Sequence, residues 1–188
     1  MRLKTIFVTL IAASALIGLS ACSSSDKASS TNFNKADVSF AQDMIPHHRQ
    51  ATEMAKLAAS RTNNPDVLAV ASKIIAAQQP EIDAMSGWLK SWGKKVPAET
   101  MNMPGMDSGS SDMPGMMSDS DMASLKKSSG GDFDTMFLTM MKSHHKGAIE
   151  MAKIEEEDGK YSHAVTLARK IQKDQAAEIA KMEALLQS

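Results

Sequence analysis

The sequence predicts an all-α fold: a four-helix bundle assembled from two copies of one helical hairpin. Three observations carry this expectation. The stretch that begins at Asp37 recurs without a gap from Asp134, 97 positions on, through Phe40/Phe137, Met44/Met141, His47/His144, His48/His145, Ala51/Ala148 and Met54/Met151. It continues through Ala71/Ala168, Lys73/Lys170, Ile74/Ile171, Gln78/Gln175, Glu81/Glu178, Met85/Met182 and Leu89/Leu186, which marks an internal duplication. In both copies the apolar residues return every three or four positions, and no stretch alternates with period two. A single hairpin cannot bury its apolar stripe, so two hairpins packed together are the economical solution.

Residues 1–21 read as a processed leader. Arg2 and Lys4 precede an apolar run from Ile6 to Leu19 that is short for a membrane span. The run ends in Leu19-Ser20-Ala21-Cys22, which resembles the lipobox of bacterial lipoproteins. That resemblance implies removal of residues 1–21, lipidation of Cys22 and anchorage to a membrane at the periplasmic face of the cell envelope. Ser23 after the cysteine favours the outer membrane in a Gram-negative cell. Cys22 is the only cysteine. Once it is acylated, disulfides and thiolate metal sites are both excluded. Residues 23–32 are polar and mostly small, and 22–36 read as a flexible tether.

The bundle is expected over 37–188. The first helix, about 37–60, carries Phe40, Met44, His47, Ala51, Met54 and Ala58 on one face, with Asp37 as its cap. Pro46 lies inside it and predicts a kink that Ser143 in the second copy does not share. Asn64 and Pro65 open the second helix, which runs to about Trp92 and completes the hairpin 37–92. Residues 94–131 are rich in Ser, Gly, Asp and Met and predict a disordered linker. The second hairpin, 132–187, pairs a helix ending at Asp158 with one that starts near Ser162. Within it, Glu155 to Asp158 read as a solvated helix end, and His163 as a surface residue. Trp88 and Trp92 read as packing at a helix end.

The formal net charge is −1, with no basic excess that would suggest nucleic acid as a partner. Aromatic residues make up only 4% of the chain, whereas methionine occurs 16 times, and that imbalance directs attention to sulfur. On a helical wheel His47 and His144 point into the bundle, and His48 and His145 fall at the rim of the same face. A buried imidazole without a partner costs about 1–3 kcal/mol, so inward histidines doubled across a duplication favour a metal ion as partner, either shared by the two pairs or held by each. Neutral imidazole accepts Cu, Zn, Ni or Fe, whereas thioether sulfur selects Cu(I) or Ag(I). Met44, Met54, Met141 and Met151 stand at helical spacing around the histidines. The linker adds Met101, Met103 and Met106, then Met113, Met116 and Met117, in a Gly/Pro setting where methionine gains little from burial.

These fourteen His and Met residues are therefore the candidate ligands, with Cu(I) preferred and Cu(II), Ag(I) or Zn as alternatives. A ferritin-like di-iron enzyme would need inward Glu residues and a Glu-x-x-His motif, which does not occur, and Glu53 and Glu150 lie on the outer side. The competing reading is a non-enzymatic structural or protein-interaction module whose histidines complete the core.

The motifs Met44-Ile-Pro-His-His-x-x-Ala51-x-x-Met54-Ala55 and Met141-x-x-His-His-x-Gly-Ala148-x-x-Met151-Ala152 resemble those of the bacterial family known as domain of unknown function 305. The likeness extends from Asp37 to Leu186. It implies a ferritin-like helical bundle exported to the periplasm. In some members it implies copper binding through His and Met ligands in copper tolerance, here carried by Met44, His47, His48 and Met54 and by Met141, His144, His145 and Met151. A copper buffer or delivery protein, with an exporter or chaperone as partner, is the expected function.

Overall fold

The computed structural model describes residues 32–98 and 113–188, so Cys22, Met101, Met103 and Met106 lie outside the described residues. The described residues form five helices: α1 (Lys35–Arg61), α2 (Pro65–Ser91), α3 (Asp119–Lys127), α4 (Gly130–Asp158) and α5 (Ser162–Leu186). No described residue is in a strand. The expected bundle is formed by α1, α2, α4 and α5, and α3 is an addition. None of the described helices is long and apolar enough to cross a membrane.

Local chemistry sets the helix ends. Asn34, not Asp37, caps α1: its side chain accepts from the Asp37 N–H, and the Asp37 carboxylate accepts in return from the Asn34 N–H. Asn64 caps α2 with Pro65 in the first turn, where a missing N–H does no harm. Both α1 and α2 run on through their internal prolines, Pro46 and Pro80. The expectation of a structureless linker from 94 to 131 fails at its C-terminal end. Ser118 and Asp121 form a reciprocal cap that starts α3, which then buries Met122 and Leu125. An ion pair of 2.8 Å between Lys126 and Glu53 fastens α3 to α1.

Each hairpin pairs its own helices, α1 with α2 and α4 with α5, and the hairpins meet mainly through α1 and α4. Two apolar clusters fill the interior. One joins Ala51, Met54 and Ala58 of α1 to Phe133, Phe137 and Met141 of α4. The other joins Phe40, Ala41 and Met44 of α1 to Ala148 and Ala152 of α4. The late part of α1 thus meets the early part of α4, and the early part meets the late: the central helices are antiparallel. Phe133 and Phe137 are fully buried, each contributing about 1.5–3 kcal/mol of transfer free energy.

The duplication is visible in the cross-ties. Asp37 accepts from the N–H groups of Lys160 and Tyr161, in the turn of the opposite hairpin, at 3.0 and 2.8 Å. Its repeat partner Asp134 accepts from the Asn64 side chain, in the turn of the first hairpin, at 3.1 Å. Trp92 stacks on Phe33 at 4.6 Å and meets Tyr161 edge-on at 5.1 Å, closing one end of the bundle as expected. The acidic run at the end of α4 is not wholly solvated: Glu155 is buried, because it faces Asp37 across the helix interface.

Candidate metal centre

The four repeated histidines belong to neither apolar cluster and form a polar layer between them. All four are fully buried. Because α1 and α4 cross antiparallel, the rings of His47 and His144 lie against each other, with centroids 3.7 Å apart and planes inclined by 37°. His48 and His145 turn instead towards the flanking helices. His48 Nε2 is 2.8 Å from Glu81 Oε2 on α2, and His145 Nε2 is 2.8 Å from Glu178 Oε2 on α5. The rim position expected for His48 and His145 is therefore wrong, since Glu81 and Glu178, themselves buried, cover them.

The layer is short of hydrogen-bond partners. His47 Nε2 donates to the Pro114 carbonyl at 3.1 Å, which leaves its Nδ1 unpartnered. The Nδ1 atoms of His48 and His145 are likewise buried without a partner, and His144 has none at either nitrogen. Burial, followed by repulsion from His48, pushes the His47 pKa down to about 3. Burial also lowers His48, outweighing the pull of Glu81, and holds His144 well below the ordinary value, with repulsion from His47 adding to it. These three rings are neutral at physiological pH, the state in which imidazole binds a metal. Burial alone would raise the Glu81 carboxyl, but hydrogen bonds from His48 and Lys170 outweigh it, and the net shift is downward.

The layer is wider than the histidines. Gln78 and Gln175, one turn before Glu81 and Glu178, are buried as well; both polar side-chain atoms of Gln78 and the Oε1 of Gln175 lack partners. The candidate thioethers flank the layer on both sides. Met54 and Met141 belong to one apolar cluster, and Met44 and Met151 to the other. Met44, Met54 and Met141 are fully buried and Met151 is half-buried. Among the described residues, no three imidazole, carboxylate or thiol groups converge as a ready-made cage for a metal ion. Any ion held here would draw on thioethers or on a small movement of the rings.

A strap of the linker lies over the layer. Residues 113–117 make a turn, closed by Met116 N–H to the Met113 carbonyl at 3.2 Å, with Gly115 at φ +77°. Gln50 grips its end with two hydrogen bonds of 2.8 Å, donating to the Met117 carbonyl and accepting from the Met117 N–H. The opposite helix makes room: a β-carbon at Gly147 would overlap the Pro114 carbonyl, and one at Gly115 would sit 2.8 Å from the Ser143 carbonyl oxygen. Met113, Met116 and Met117 are thereby brought half-buried to the mouth of the layer, and Met117 packs on the cluster that contains Met54 and Met141.

Several contributors escaped the sequence reading. Glu81 and Glu178 were visible only as matched positions, although a carboxylate repeated on a buried face is itself a signal. They also remove one objection to ferritin-like chemistry, since inward Glu residues do exist here. The Glu-x-x-His spacing is still absent, and both carboxylates are already held by His and Lys. Gln50 and Gly147 are a mismatched pair within an otherwise matching motif, and that mismatch marks the strap.

With the geometry in view, comparison with known proteins places the chain. Residues 37–186 match the family model described as Domain of unknown function (DUF305). The chain belongs to this family. A DUF305 protein from Streptomyces coelicolor, solved by crystallography, is 34% identical with a TM-score of 0.70, covering 80% of this chain and 90% of that one. CopM in its Cu(II)-bound form is 30% identical with a TM-score of 0.67, covering 80% of this chain and 95% of CopM. CopM also has solved Cu(I)-bound and Ag-bound forms. An uncharacterised protein of Acanthamoeba polyphaga mimivirus is 40% identical over 53 residues, which span 28% of this chain and 35% of that protein.

Proposed function

We propose that this DUF305 protein binds soft metal ions, Cu(I) first and Ag(I) second, as cargo to be buffered or delivered in the cell envelope. The observation that carries the reading is the layer of four buried imidazoles with unpartnered ring nitrogens. Each such nitrogen costs about 1–3 kcal/mol in the empty protein, and a metal ion is the partner that would repay several at once. Thioethers above and below the layer, with the methionines of the strap at its mouth, favour a soft ion over Zn(II). The copper- and silver-bound forms of CopM, a similar chain, support the same choice.

In this reading His47 and His144 form the centre of the site, His48 and His145 its flanks, and Met44, Met54, Met141 and Met151 its sulfur donors. Met113, Met116 and Met117 guide the ion in, and Met101, Met103 and Met106 extend the capture arm. The role is binding, not catalysis. Lipidation at Cys22 would tether the protein at the periplasmic face, with a copper exporter or chaperone as the exchange partner. The lack of a preformed cage among the described residues favours the competing reading, a structural or interaction module with core histidines.

Anaerobic competition titration with a Cu(I) chelator separates the two. The wild-type chain should take Cu(I) from the chelator, and the His47→Ala/His144→Ala double variant should lose most of that capacity. Equal uptake by both proteins would remove the bundle site. Deletion of 101–122 should slow uptake, and an unchanged rate would remove the capture arm.

A further inference from the structure

Glu81 and Glu178 are buried carboxylates to which the proposed binding reading gives no work. They hold matching positions of the two repeats, and each uses its two oxygens for different tasks. Oε2 meets Nε2 of the histidine in its own hairpin, at 2.8 Å in both copies. Oε1 meets a lysine of the opposite hairpin: Lys170 reaches Glu81 at 2.8 Å and Lys73 reaches Glu178 at 3.7 Å. Lys73 and Lys170 are also partners in the repeat. The chain Lys–Glu–His is thus written twice, with the same oxygen and the same ring nitrogen each time.

An ionised carboxylate only accepts, so the ring nitrogen that faces it carries the proton. A neutral ring protonated at Nε2 presents its free electron pair at Nδ1, and Nδ1 is the atom left buried without a partner in both His48 and His145. The duplication repeats the arrangement, and in neither copy does a protein group satisfy the Nδ1 that the arrangement leaves bare. Carboxylates that fix the tautomer of a ligating histidine are the recurring device of metal sites.

We infer, resting on the copper-binding reading above, that Glu81 and Glu178 are positioning residues that hold His48 and His145 as Nε2–H tautomers, so that both rings offer Nδ1 to a soft metal ion. Lys170 and Lys73 keep the carboxylates aimed and tie each half of the site to the opposite hairpin.

The test is nitrogen-15 NMR of the purified chain, first metal-free and then with one equivalent of Ag(I), a diamagnetic ion. In the metal-free protein, His48 and His145 should show a protonated Nε2 and a bare Nδ1. Ag(I) should then move the Nδ1 resonances while the Nε2 protons stay in place. Replacing Glu81 and Glu178 by Leu should weaken Ag(I) binding about ten- to hundredfold, and Gln, which keeps an acceptor oxygen, should restore part of the loss. Ag(I) uptake with a proton on Nδ1, or Leu variants that bind as tightly as wild type, would overturn the positioning role alone. No uptake of Ag(I) by the wild-type chain would remove the binding reading and this role together. The wild-type spectra decide the tautomer even if a Leu variant does not fold.

Discussion

Gly147 and Pro114 fit against each other: the carbonyl of Pro114 occupies the space that a β-carbon at position 147 would fill. Gly147 lies in the middle of α4, where glycine is a poor choice, destabilising by roughly 0.5–1 kcal/mol relative to alanine. Its presence there is explained by the strap that crosses it.

That conflict makes a sharp prediction. On helix propensity alone, Gly147→Ala should stabilise the protein. With the strap in place it must instead push Pro114 off the helix, breaking the bond to His47, and the net effect should be a loss of about 1–3 kcal/mol. Urea unfolding of the two proteins gives the answer, and a more stable Gly147→Ala protein would mean that the strap does not rest on α4.

Gln50 supplies the second hold on the strap. Gln50→Ala removes both hydrogen bonds to Met117, worth about 0.5–1.5 kcal/mol each. The Met117 amide should then exchange with solvent much faster while amides at the centre of α1 keep their protection. Unchanged exchange at Met117 would show that the clamp does not hold the strap.

The polar layer should lower the stability of the metal-free protein. His144 has no partner at either ring nitrogen, so His144→Leu, similar in bulk, should raise metal-free stability by about 1–3 kcal/mol and reduce Cu(I) binding together. If the histidines were merely core residues with satisfied contacts, the same change would destabilise the protein, and thermal unfolding without metal distinguishes the two.

Glu155 gives a pH dependence of known sign. Burial first, then the neighbouring Asp37 carboxylate, push its carboxyl from the ordinary 4.5 up to about 8. Between those values the folded chain keeps a proton that the unfolded chain has released. Its contribution to stability is therefore fully present below pH 4.5 and is lost as pH rises towards 8. The charged groups facing it include Asp37 on α1, which also holds the Lys160 and Tyr161 amides. Glu155→Gln, permanently neutral, should flatten that decline. Urea midpoints across the window check it, and a variant with the wild-type slope would contradict the assignment.

Much of the fold was legible because the duplication and the three-and-four spacing are read directly from residue type. The four bundle helices begin and end within two residues of their expected limits. What escaped depends on contacts between distant segments. The cap formed by Ser118 and Asp121 was present as a local pattern, but α3 is stabilised by burying Met122 and Leu125 against α1 and α4, which spacing within the linker does not reveal. Glu155 was hidden in an acidic run, although its repeat counterpart Ala58 stands on the buried face of α1. At the site, the inward placement of His47 and His144 followed from the helical wheel, whereas the full burial of His48 and His145 did not. Their carboxylate partners on α2 and α5 did not either, because pairing across helices is set by packing.

The most direct test of the central claim is X-ray absorption at the copper edge on protein loaded anaerobically with one equivalent of Cu(I). Binding in the imidazole layer predicts a mixed shell of nitrogen and sulfur scatterers, with the nitrogen contribution lost in the His47→Ala/His144→Ala variant. A shell of sulfur alone, or a spectrum that the double substitution leaves unchanged, would contradict it.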